Sequence, residues 1–287
     1  MLGFVCYMLL GGAIVGAQVT DTDLYLDYSY NPEDPNGPAN WGSTVVDAEL
    51  CDGPAQSPVN IVTADTVWWS RPGSLWSTAT TEALTEDLEN LQHTLEVVVN
   101  RVDDPSSLSG YSLLPEELPL IQYHFHAPSE HTIDGESFAL EAHWYHLFEA
   151  SDQASVIAVL YRIGDCDPLL DPVVEGTAFI PDVGDHHEIE VPLKPITTGG
   201  FFHYHGSATT PPCYTNVDWF ISRQIRTICT DQLDAIVSRL DPNYPTNNRP
   251  LQNLNGRGVY RFTSAAAAPV VATGVFLIVS TVLTIFS

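Results

Sequence analysis

Apolar positions along the chain fall mostly in short runs that read as strands. Five stand out, at residues 95–99, 120–126, 138–148, 156–163 and 217–221, each bounded by Pro, Gly, Asp and Ser clusters that interrupt regular structure. One stretch keeps helical spacing and has a start signal. Over 231–240, Leu233, Ile236, Val237 and Leu240 share one face, and Thr230 is placed to cap it. Residues 82–95 are ambiguous, because Leu84, Leu88, Leu91 and Leu95 also recur at helical intervals. The pattern predicts a mainly β, α+β domain with much ordered loop.

Both ends break this pattern. The opening MLGFVCYMLLGGAIVGA, residues 1–17, closes on small Val15, Gly16 and Ala17 and reads as a secretory signal peptide; a buried or membrane-anchoring helix is the alternative. Residues 264–287 hold an uncharged, mostly apolar run at 270–286 with nothing basic after it. A retained spanning helix usually carries cytoplasmic Lys or Arg, whereas a tail exchanged for a glycolipid (GPI) anchor needs none. The tail is therefore expected to be a GPI-attachment signal, with Ser264, Ala265 and Ala266 as candidate attachment points, or else a transmembrane segment. Either would hold the protein to a membrane at the cell surface. Residues 18–263 show no repeat or low-complexity block and predict one large domain.

That domain carries all 36 acidic and 10 basic side chains, a net charge of −26 that repels nucleic acid and excludes it as a partner. Once Cys6 leaves with the leader, Cys51, Cys166, Cys213 and Cys229 remain, an even number suited to an oxidising compartment. Four cysteines allow three pairings, and spacing does not choose among them.

The chemistry concentrates in LIQYHFHAPSEH, residues 120–131. Side chains two apart on a strand share a face, so Gln122, His124 and His126 line one side of an otherwise apolar segment. A second segment, FALEAHWYHLF at 138–148, puts Glu141, His143 and Tyr145 on one face, and the residues between hold Pro128, Asp134 and Gly135 to turn the chain. Pairing the two strands brings His124, His126 and His143 together. Three neutral imidazoles with an open fourth position suit a catalytic zinc ion. Gln122 and Glu141, each two residues before a ligand, are placed to hold the second ring nitrogens.

With these residues in view, the chain resembles the alpha-class carbonic anhydrases. QSPVNI, QYHFH with SEHTIDG, EAHWYH, GSATTPPC and NNRPLQ occur in that family's order and spacing, from about residue 41 to 262. The resemblance implies a central, mostly antiparallel sheet of about ten strands with short peripheral helices, and strands rather than a helix at 82–95. It implies Zn2+ as cofactor and reversible hydration of carbon dioxide to bicarbonate and a proton by a zinc-bound hydroxide. Thr209 would orient the hydroxide and pass its own proton to Glu130, while His131 and Tyr204 would support the network and Thr210 would line the site. His93 would carry protons out, with Gln92 where the family usually has Gly. Tyr145, Val156, Ala208 and Trp219 would wall the carbon dioxide pocket.

Several positions depart from the family. Tyr145 stands where a small aliphatic is usual and Ala208 where leucine is usual, a pairing that reads as an exchange of volume across the pocket. Ser43 stands where a cleft tyrosine is common. A second H-x-H, His203 and His205, has no E-x-H strand nearby and is expected at the surface or cleft rim; His186 and His187 are expected in a solvated loop. The resemblance also implies a Cys51–Cys213 disulfide, leaving Cys166 and Cys229 as a second bridge or two free thiols. A carbonic-anhydrase-like binding or adhesion module without activity is the alternative function.

Overall fold

Alternation at 120–126 and 138–148 becomes the centre of a sheet. The computed structural model describes residues 27–69, 76–77, 83–99, 107–109, 118–148, 153–192 and 200–262. Along its main path lie β1 (Val67–Trp68), β2 (Ala83–Asn90), β3 (Leu95–Val98), β4 (Leu118–His126) and β5 (Leu140–Phe148). They continue as β6 (Gln153–Ile163), β7 (His186–Pro192), β8 (Phe201–Ser207), β9 (Thr215–Ser222) and β10 (Tyr260–Phe262). The order across the sheet is β7-β2-β3-β4-β5-β6-β9-β8-β10-β1, with three shorter strands off this path. Only the β6–β9 and β10–β1 joints of that path are parallel.

The two faces of the sheet bury separate cores. Tyr123, Phe125, Ala142, Ile157, Val159 and Phe220 pack on one side. Val156, Ala158, Phe202, Tyr204, Trp219 and Ile221 pack on the other, and this second side also holds the predicted imidazoles. A third cluster gathers Tyr30, Trp41, Val45 and Ala48 around Cys51 and Cys213. Those two cysteines are bonded, as are Cys166 and Cys229, so the second pair is a bridge and not two thiols. Disulfides of this kind fit passage through a secretory compartment.

Among the described residues, three short α-helices lie outside the sheet: α1 (Trp41–Thr44), α2 (Asp171–Gly176) and α3 (Thr230–Val237). The predicted helix at 231–240 starts one residue early, because Cys229 takes the cap position and Thr230 is already helical, with no side-chain capping bond. From residue 83 on, the ambiguous stretch at 82–95 forms β2, a turn and the start of β3, since pairing with β7 and β4 satisfies its backbone. Gln92, in the turn between them, has φ +65°, the left-handed region that glycine adopts most easily. His186 and His187 open strand β7 instead of lying in a loop; the His187 ring stacks on Phe179 at 4.2 Å. The leader and the 264–287 tail lie outside the described residues. Among the described residues, no helix is long and apolar enough to cross a membrane.

Candidate metal centre

Antiparallel pairing of β4 and β5 sets His124 directly opposite His143, with His126 opposite Glu141 and Gln122 opposite Tyr145. The ligand-type atoms of His124, His126 and His143 lie within 4.8 Å of one another. Each ring is held by one nitrogen. His124 Nδ1 lies 2.8 Å from Gln122 Oε1, His126 Nδ1 is 2.7 Å from the Asn247 carbonyl oxygen, and His143 Nε2 is 2.7 Å from Glu141 Oε1. All three partners are acceptors, so each held nitrogen carries the proton and the opposite one presents a lone pair.

Those lone pairs converge. His143 Nδ1 and His124 Nε2 are 3.3 Å apart. This equals the ligand–ligand edge of about 3.3 Å expected for a tetrahedral zinc with bonds of about 2.0–2.1 Å. His126 Nε2 is buried with no hydrogen-bond partner, which is costly unless a cation uses it. Burial lowers the pKa of all three, His126 to about 4 and His124 well below the usual imidazole value, keeping them neutral as ligands must be. The residues fit a zinc ion.

Glu141 organises the surroundings. Its Oε2 accepts the backbone N–H groups of Glu130 and His131, both at 2.8 Å, and its Oε1 lies 2.7 Å from His131 Nδ1 as well as His143 Nε2. Burial alone would raise its pKa, but His131 and His143 outweigh that and hold it well below the carboxylate range. From His131 the network runs through Nε2 to Tyr204 Oη at 2.7 Å, and Tyr204 donates to Ser57 Oγ at 2.8 Å.

Glu130 faces the centre beside Thr209. Its Oε1 accepts the Arg249 N–H at 2.9 Å, while Oε2 has no hydrogen-bond partner and lies 3.6 Å from His126 Nε2. Burial pushes Glu130 up to about 7, opposed by His143 and by the Thr209 hydroxyl. Thr209 itself is buried and Thr210, next to it, half-buried. Their loop is pinned by Cys213 N–H to the Thr210 carbonyl and by Ala208 N–H to the Tyr214 carbonyl, each at 2.8 Å.

On the same face Tyr145, Val156, Trp219 and Tyr204 lie in one row across four strands. Tyr145, Val156 and Trp219 share one apolar cluster; Ala208 is half-buried and outside it. His93 is half-buried in the turn after β2, its ring 4.3 Å from Tyr28 and 6.1 Å from Tyr30.

Several contributors escape sequence reasoning. Asn247 acts on His126 through a backbone carbonyl and Arg249 acts on Glu130 through a backbone N–H, so side-chain type gives no signal. The Arg249 guanidinium, buried and bonded to Gln56 Oε1 at 2.7 Å and to the Ser57 and Cys51 carbonyls, locks QSPVNI against NNRPLQ. Glu96, opposite His124 on β3, is pushed up to about 8 by burial. Ser43 is exposed and bonds only locally to the Asn40 carbonyl; the phenols near His93 come from Tyr28 and Tyr30 instead. His203 is 1% exposed, not at the rim, because the Phe220 and Trp69 rings and Asp218 close around it, while His205 is exposed.

Three imidazoles converging on one face of a mostly antiparallel sheet have the donor set of a zinc site. The model of the eukaryotic-type carbonic anhydrase family matches residues 36–263, and the chain belongs to that family, whose members typically bind zinc and act on carbon dioxide and bicarbonate. Alpha carbonic anhydrase 8 of Arabidopsis thaliana is 32% identical over 253 residues, 86% of this chain; the match spans only 62% of that longer relative. Dioscorin dioA3 of Dioscorea japonica is 31% identical over 264 residues, covering 89% of this chain and 93% of the relative. Among solved structures, a dioscorin complexed with ascorbate superposes with a TM-score of 0.76 at 29% identity, covering 84% of this chain and 100% of that one. The alpha-carbonic anhydrase of Thermovibrio ammonificans with sulfanilamide gives 0.71 at 28%, covering 82% and 99%.

Proposed function

We propose that this chain is a zinc-dependent carbonic anhydrase that hydrates carbon dioxide reversibly to bicarbonate and a proton. The observation that carries this reading is the convergence of three imidazole lone pairs, those of His126 and His143 on buried rings, with His126 Nε2 left unpartnered. Zinc held by His124, His126 and His143 would supply a water-derived nucleophile at neutral pH, carbonic anhydrase being the reference case for a bound-water pKa of about 7.

The chain's own groups supply the rest. Glu141 fixes the His143 tautomer and, with His131, Tyr204 and Ser57, makes a rigid wall. Thr209 donates its hydroxyl to the Glu130 carboxylate in a hydrogen bond, which leaves its lone pairs to accept one from the attacking oxygen and aim it. Tyr145, Val156 and Trp219 offer an apolar surface for a substrate without charge. His93, at the rim, takes the released proton and passes it to buffer. Hydration should vanish when a chelator strips the purified protein and return with zinc; an unchanged rate after stripping contradicts this reading.

The dioscorins among the relatives favour one second reading, a small-molecule-binding or adhesion module on the same scaffold. That reading predicts zinc-independent ligand binding and no hydration. Signal-peptide entry to the secretory pathway and membrane attachment through 264–287 complete the proposal; the two disulfides support the first of these.

A further inference from the structure

The sheet face turned away from the three-imidazole centre carries a second set of ligand-type side chains. Along β8, Phe202 and Tyr204 point to the cleft side, so His203 and His205 point to the other. Strand β9 sets Asp218 opposite His205 and Phe220 opposite His203. His203 Nε2 is 2.8 Å and His205 Nδ1 3.1 Å from the same oxygen, Asp218 Oδ1, while Gln153 Nε2 donates to Oδ2 at 3.1 Å. The side chains of His203 and Asp218 are buried, and that of His205 is 61% exposed.

We propose that His203, His205 and Asp218 bind a second divalent transition-metal ion of the borderline kind, zinc in the first place, at a site separate from His124, His126 and His143. Two imidazole nitrogens and one carboxylate oxygen are a zinc donor set, unlike the all-oxygen sets of calcium or magnesium. A tetrahedral ion needs ligand edges of about 3.3 Å. The 3.1 Å separation must therefore open by about 0.2 Å, which exposed His205 allows, and the 2.8 Å one by about 0.5 Å, through a small shift of buried His203 against Asp218. As ligands both imidazoles would be neutral, and a divalent ion would give buried Asp218 its opposite charge.

The surroundings suit the ion. Gln153 holds Oδ2 and leaves Oδ1 to the metal, as an outer partner does. The rings of Phe220 at 4.9 Å and Trp69 at 6.1 Å enclose His203, and the Arg257 guanidinium fixes the His205 carbonyl at 2.9 Å. The open side of His205 leaves an entry path and room for water as fourth ligand. Because Asp218 precedes Trp219, whose ring lies 4.9 Å from His143, an ion here would tie β8 to β9 behind the wall of the first centre. Its role would be structural.

The test is zinc per chain after equilibrium dialysis of the purified protein, stripped and then exposed to zinc near neutral pH, for wild type, His205→Ala, Asp218→Asn and His143→Ala. About two zinc ions per wild-type chain are expected, falling to about one in each variant and to almost none in His143→Ala/His205→Ala. Asp218→Asn keeps the side chain's shape, so loss of the second ion in both it and exposed His205→Ala, with unchanged near-ultraviolet circular dichroism, separates ligation from misfolding. A wild-type stoichiometry that neither His205→Ala nor Asp218→Asn lowers would overturn the proposal, whether or not the protein hydrates carbon dioxide.

Discussion

Replacing Glu141 with Gln keeps the side chain's shape and removes its charge. The carboxylate receives the backbone N–H groups of Glu130 and His131 on Oε2, and His131 Nδ1 and His143 Nε2 on Oε1. Glutamine has one carbonyl oxygen. If the two backbone donors keep it, the amide NH2 faces both imidazoles, and His143 Nε2 must accept instead of donate. The ring proton then moves to Nδ1, the atom 3.3 Å from His124 Nε2, and one of the three lone pairs is lost. The opposite amide orientation leaves two buried N–H groups unsatisfied, at about 1–3 kcal/mol each. Loss of such an outer partner weakens metal binding by about 10–100-fold, or about 1.4–2.8 kcal/mol. Chelator competition measures the zinc affinity, and nitrogen-15 shifts of the metal-free protein report the His143 tautomer. Equal affinity with an unchanged tautomer would refute the reasoning.

His93→Ala should keep its zinc and lose turnover in weak buffer, with rescue by added imidazole; a His93→Ala turnover that does not depend on buffer would remove His93 from the proton path. Burial lowers the His93 pKa, against the pull of Asp241 and Asp27. Because only the neutral ring accepts a proton, the acid limb of kcat should have its midpoint below the usual value of about 6.5. Opening Cys51–Cys213 by a double Ser substitution releases a 162-residue loop. Chain entropy puts that loss at about 5 kcal/mol, and denaturant unfolding should show at least about 2 kcal/mol. If the tail is a lipid-attachment signal, phosphatidylinositol-specific phospholipase C should release active protein from intact cells; recovery of the 270–286 peptide from mature surface protein would establish a spanning tail.

The centre was legible because its ligands sit on strands whose two-residue alternation puts Gln122, His124, His126, Glu141 and His143 on one face whatever the rest of the chain does. The leucines at 84, 88, 91 and 95 show the limit of periodicity, since their helical spacing is overruled by pairing with β7 and β4. His203 was misplaced for a different reason. The carboxylate that holds it arrives on a partner strand across the 208–214 turn, so Asp218 meets it only through sheet register. Backbone donors and acceptors, the Arg249 N–H and the Asn247 carbonyl, belong to no residue type and leave no trace in sequence.

Hydration of carbon dioxide, followed by stopped flow on the stripped protein as zinc is returned, tests the central claim most directly. The account predicts that activity rises with zinc in wild type and in His205→Ala, saturates when the His124, His126 and His143 centre is filled, and stays absent in folded His143→Ala. A fully zinc-loaded wild type with no hydration above buffer, or a His143→Ala protein as active as wild type, would contradict it.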